Sequence, residues 1–103
     1  MSSPETKSWQ FLTSHTQVLL CIHRDPEVRL RDIAATVGVT ERAAQRIVGD
    51  LVESGHITRE RVGRRNRYVV NEHEHMRHPS QEEHEIRELL EIMRMGEPPR
   101  SPA

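Results

Sequence analysis

The stretch "LRDIAATVGVTERAAQRI", Leu30 to Ile47, decides the fold. Leu30, Ile33, Ala34 and Val37 recur at helical spacing, and Gly38 then supplies the residue that ends a helix in the left-handed conformation. Thr40 is a good N-cap for a second helix, and Glu41 puts an anion in its first turn, where the helix dipole favours one. Ala44, Ile47, Val48 and Leu51 form the apolar side of that second helix, which stops at Ser54-Gly55. Gly38 and Val39 alone separate the two helices, too few residues for an antiparallel return, so they must cross steeply. A small residue where the helices touch (Ala34), a Gly four positions later (Gly38) and inward apolar groups around them (Ile33, Val37, Val39, Ala44, Ile47) make up a helix-turn-helix.

Working outward, "SHTQVLLCIHRDP" reads as a preceding helix. Ser14 is the expected N-cap with Gln17 as its capping-box partner, Val18, Leu19, Cys21 and Ile22 form its apolar face, and Asp25-Pro26 ends it. Downstream, "HITRERVGRRNRYVVN" alternates as a two-stranded hairpin turning between Gly63 and Asn66, with Arg61, Arg64, Arg65 and Arg67 at or beside its tip. Such a hairpin needs helices beneath it to be stable. The predicted class is therefore mainly α with a small β-hairpin (α+β): a winged helix-turn-helix followed by a C-terminal helix.

The 103 residues leave room for one small core. With one Trp, one Tyr and one Phe, that core must be aliphatic. No apolar run approaches the ~20 residues of a membrane span, and "MSSPETKS" lacks the apolar stretch of a signal peptide. The single Cys cannot form an internal disulfide, so a cytoplasmic setting is expected, and Cys21 reads as a core thiol. The net charge of −1 hides an asymmetry: Trp9 to Asn71 holds ten Arg against seven acids, whereas Glu72 to Met95 holds three Arg against seven Glu. Arg makes forked contacts to phosphate and guanine that Lys cannot copy, and fourteen of the fifteen basic residues are Arg.

With its apolar side buried, the second helix of the motif shows Glu41, Arg42, Gln45, Arg46 and Gly49. The last four share one stripe at i, i+3, i+4 and i+7. Arg reads guanine and Gln reads adenine in the major groove, each bidentate contact being worth ~1–3 kcal/mol of discrimination. Thr40 and the free N–H groups beside it suit a phosphate. Like charges crowded onto a turn repel unless an anion is expected, so Arg61, Arg64, Arg65 and Arg67, with Asn66 between them, are assigned to the DNA backbone or the adjoining minor groove. Arg59 and Glu60 read as surface polar residues of the strand.

The stretch from about Ser14 to Val70 resembles the MarR/ArsR-like winged helix-turn-helix transcriptional regulators of prokaryotes. "VRLRDIAATVGVTERAAQRIVGDLVESGHITRERVGRRNRYVV" carries the resemblance. It is similar to compact members in which a short C-terminal helix replaces a ligand-binding domain. The resemblance implies sequence-specific binding of double-stranded DNA, usually as a homodimer, and control of transcription. The alternative is a winged-helix module that docks proteins, for which an Arg-rich face would be unnecessary. No nucleophile–base–acid set and no phosphate loop is present, so an enzyme is not expected, nor any cofactor.

The organisation read from composition is a tail or dimer arm at 1–13, the DNA-binding domain at 14–71, a His-rich linker at 72–80, a C-terminal helix at 81–96 and a disordered tail at 97–103. Ser80 and Glu83 match a capping box for that helix, and Ile86, Leu89, Leu90 and Met93 form its narrow apolar stripe. The stripe can fold back on its own domain or pair with a second subunit. The narrow seam on an acid-rich helix favours the dimer, with Trp9, Phe11 and Leu12 joining it or packing in the N-terminal core. His73, His75 and His78 invite a metal, but they lie in a linker and lack a Cys cluster, so none is assigned. A small-molecule or metal effector remains open, with the dimer interface or the His cluster as its place.

Overall fold

A computed structural model describes residues 9–95. Three helices, α1 (Ser14–Arg24), α2 (Leu30–Val37) and α3 (Glu41–Glu53), lead into an antiparallel hairpin of β1 (Ile57–Val62) and β2 (Arg65–Val70). A short 3-10 turn (Pro79–Gln81) precedes α4 (Ile86–Met95). No helix among the described residues is long and apolar enough to cross a membrane.

The helix-turn-helix forms as its local chemistry requires. Gly38 takes φ +87°, and its N–H and that of Val39 both reach the Ala34 carbonyl at 2.8 and 3.0 Å, closing α2. The Thr40 hydroxyl accepts the Ala43 N–H at 3.0 Å and opens α3. Ile33, Ala34, Ala44, Ile47, Val48 and Leu51 are all buried. They pack with Val18, Leu19 and Ile22 of α1, so three amphipathic helices share one aliphatic core. At the start of α1 the cap is Thr13, not Ser14: its hydroxyl accepts the Thr16 N–H at 3.1 Å, and Ser14 is already helical. Thr13 holds the extended backbone an N-cap needs (φ −71°, ψ 165°), so the earlier hydroxyl takes the role.

The hairpin pairs Ile57 with Val70 and Arg59 with Tyr68, out to Val62 with Arg65 at the tip. Between those two, Gly63 (φ +63°) and Arg64 form a two-residue turn that needs positive φ at its first position. Ile57 and Tyr68 are buried on the face turned to the helices. The Tyr68 N–H donates to the Pro26 carbonyl at 2.9 Å, which ties the wing to the connection between α1 and α2.

The segment after Asn71 departs from the sequence reading. It is not an open linker: the Met76 N–H reaches the His84 carbonyl (3.0 Å), and the N–H groups of Ile86 and Arg87 reach the carbonyls of Glu74 and Glu72 (both 2.8 Å). A buried residue anchors it. His56 Nε2 donates to the His75 carbonyl at 2.9 Å, while its Nδ1 lies 2.7 Å from the Ser54 hydroxyl. The helix starts at Ile86, not residue 81, and the Ser80–Glu83 box does not form. Instead the Glu88 carboxylate accepts the Glu85 N–H at 2.9 Å, the reciprocal half of a capping box set five residues later. That start brings Ile86 and Leu90 into the core of their own domain, at 6% and 3% exposure. Most of both side chains is therefore spent on their own domain, the fold-back that the stripe allowed beside pairing with a second subunit. The driving force is burial, worth ~1.5–3 kcal/mol for each such side chain. Leu89 and Met93 stay partly exposed, and Trp9, Phe11 and Ile92 are exposed. The segments 1–8 and 96–103, including the C-terminal tail, lie outside the described residues.

Candidate nucleic-acid interface

Burial of Ala44, Ile47, Val48 and Leu51 orients α3, and the opposite side is solvent-facing. Glu41, Arg42, Gln45 and Arg46 are exposed and Gly49 partly so. Thr40, Arg42, Gln45 and Arg46 line one shallow surface at the start of α3. A Cβ placed on Gly49 would meet nothing within 4 Å, so nothing inside the free chain demands the missing side chain there.

A second cleft, of about 390 Å3, joins this helix to the hairpin. Gln45 and Val48 of α3 form one wall, and Arg59, Arg64, Arg65 and Asn66 form the other. Arg29, just before α2, and Glu27 also line it. Gln45 belongs to both surfaces, so the helix face and the wing are continuous.

The wing arginines are not equivalent. Arg65 Nη1 lies 3.4 Å from Glu27 Oε1, and Arg67 Nη1 lies 3.9 Å from Glu60 Oε1, its cross-strand partner. Arg61 Nε donates to the Gly63 carbonyl at 3.3 Å. Arg29, Arg42, Arg46, Arg59 and Arg64 form no ion pair with any described residue. Exposed pairs like the two above are worth ~0–1 kcal/mol, so a phosphate can displace either glutamate. The sequence reading passes over Arg29 and takes Arg59 as a surface polar residue of its strand. Arg59 shares the inward hairpin face with Ile57 and Tyr68, and that period-two placement was the available signal.

The histidines do not converge. His73 Nδ1 is 2.9 Å from Glu85 Oε1, His75 Nδ1 donates to the Glu82 carbonyl (2.7 Å), and His78 Nδ1 is 2.9 Å from the Ser80 hydroxyl. Among the described residues no group of three His, Cys, Asp or Glu is placed to hold a metal ion. These contacts instead shape the C-terminal loop electrostatically. The hydrogen bond from His73, then its charge, holds the Glu85 carboxyl below the ordinary carboxylate value despite some desolvation. The Glu85 N–H, then His84, does the same for Glu88. His84 is raised in turn by its hydrogen bond to Glu88 and by that carboxylate's charge. Burial pushes the Cys21 thiol up, against the smaller influence of Arg24, which leaves it protonated and poorly nucleophilic.

A helix-turn-helix whose outward face runs into a basic hairpin defines a winged-helix DNA-binding domain. The family model described as "MarR family" matches residues 9–67, more than half of the chain. The chain belongs to the MarR family, whose members are DNA-binding transcription regulators rather than enzymes. No curated protein matches it significantly. No solved structure does so either.

Proposed function

We propose that the chain is a sequence-specific regulator that binds double-stranded DNA as a homodimer, with α3 in the major groove and the hairpin against the phosphate backbone or the adjoining minor groove. The observation that carries the reading is the shared cleft in which Gln45 faces Arg59, Arg64 and Arg65. Arg42, Gln45 and Arg46 read base edges, and Gly49 lets their stripe approach the duplex closely. Thr40 and the adjacent N–H groups hold a phosphate, with Glu41 beside them accepting from cytosine N4. Arg61, Arg64, Arg65, Asn66 and Arg67 follow the backbone, and Arg29 and Arg59 extend that track into the cleft. The half-sites of a dimer would lie about one helical turn (~10 bp), or a multiple of it, apart.

The C-terminal segment, with seven Glu against three Arg between Glu72 and Met95, is repelled by DNA and suits the side turned away from it. The large apolar groups exposed among the described residues, Trp9, Phe11, Val62, Val69 and Ile92, precede α1 or lie on the hairpin or α4, not on the exposed stripe of α3. A protein-docking module would place them on that stripe.

The test is binding of a selected duplex across a salt series. Each neutralised phosphate contributes a log–log slope of about −0.9. Arg59→Ala and Arg64→Ala should each flatten the slope by about that amount while base preference survives. A slope identical to wild type in the double variant would remove the wing from the interface.

A further inference from the structure

We propose that Trp9 and Phe11 form an aromatic hook that seats in an apolar cleft on a second copy of this chain. The inference rests on the homodimeric reading above and names the surface that makes the dimer. Two of the three aromatic residues in the sequence sit together just before α1. They are 67% and 91% exposed and pack against each other edge to face, with ring centroids 5.0 Å apart. So much unburied aromatic surface at one point marks an interaction site.

The matching hollow lies beside it. A cleft of about 690 Å3 has Leu19, Leu51, Met76, Ile86 and Leu89 among its walls, and Thr13, two residues after Phe11, stands on its rim. Arg77 lines the same cleft and forms no ion pair with a described residue, which suits the electron-rich face of an indole. Because hook and hollow occupy one edge of the molecule, a two-fold axis there lets two copies exchange hooks symmetrically. Four aromatic side chains burying ~150–250 Å2 each, with the walls they cover, reach the ~1,200 Å2 at which stable interfaces begin. On α4, Leu89 leads on to Met93 (partly exposed) and Ile92 (60% exposed), so apolar surface continues past the cleft. The cleft takes only Asp50, Leu51 and Glu53 from the end of α3, with Ser54 just after it, leaving Arg42, Gln45 and Arg46 free for DNA.

The experiment is light scattering over a dilution series on the full chain, with Trp9, the single tryptophan, as fluorescence reporter. Wild type should be dimeric, with emission that shifts to the red as dilution separates the subunits. Trp9→Ala/Phe11→Ala and, separately, Leu89→Arg should each raise the dimer dissociation constant by about thirtyfold or more, the scale of interface hot spots. A cooperative circular-dichroism melt of the Trp9→Ala/Phe11→Ala chain would show that it still folds, since both side chains are exposed. Mixing the two variants should give a heterodimer that keeps one of the two contacts and forms more readily than either variant's homodimer, because one brings an intact hollow and the other an intact hook. A double variant that dimerises as wild type does would overturn the hook and leave the homodimeric regulator standing. So would a mixture that stays monomeric. A wild-type monomer, on and off DNA, would remove the dimer and the hook together, and a monomer with buried Trp9 emission would place the hook in its own cleft.

Discussion

Replacing Arg42, Gln45 and Arg46 together with alanine should abolish the preference for a selected operator over random duplex while weak binding persists. The three side chains share the exposed stripe of α3, and each bidentate base contact contributes ~1–3 kcal/mol of discrimination. At the low end of that range their joint loss is on the order of a hundredfold in the ratio of specific to non-specific affinity. The residual binding should keep the wild-type wing's share of the salt dependence, because Arg59, Arg64 and their neighbours are untouched. None of the three side chains is in the core, so the melting temperature should move little. Competition binding with operator and scrambled duplexes measures the ratio directly. A triple variant that retains it would show that sequence is not read by α3.

Ile33→Ala should have the largest effect on stability. Ile33 is fully buried within the cluster that holds α1, α2 and α3 together, and it sits one position before Ala34, where α2 closes onto Gly38. Truncating such a side chain costs ~2–5 kcal/mol through lost transfer energy and the cavity left behind. For a domain of this size each kcal/mol moves the midpoint of thermal unfolding by ~4–8 °C, so a fall of at least about 8 °C is expected. DNA binding should weaken only as far as the folded fraction falls. Val62→Ala, an exposed hairpin position, is the control and should change stability by no more than ~0.5 kcal/mol. A loss below about 1 kcal/mol at Ile33 would contradict the packing of the motif.

The helix-turn-helix and the wing were legible because short-range chemistry determines them. Thr40 caps, Gly38 adopts the left-handed conformation and Gly63 makes a tight turn, all through bonds to near neighbours. The C-terminal segment was not legible for the opposite reason. Ser80 and Glu83 imitate a capping box, but the true start at Ile86 follows from the fit of Ile86 and Leu90 into a core built by the helices and hairpin that precede it. The grip of His56 on the His75 carbonyl is likewise a tertiary contact without a local signature. In the candidate interface, the stripe on α3 followed from helical periodicity alone. The pairing of Arg65 with Glu27 joins residues 38 apart, and the cleft positions of Arg29 and Arg59 arise only when the wing folds onto the helices.

The central claim is that α3 and the wing form one continuous DNA-binding surface. Backbone amide chemical-shift mapping of the labelled protein, titrated with a selected duplex, tests it most directly. Shifts should cluster at Thr40 to Gly49, at Arg59 to Arg67 and at Arg29, and should be small from Met76 to Leu89. Shifts centred on Met76, Ile86 and Leu89, with the start of α3 unchanged, would contradict the account.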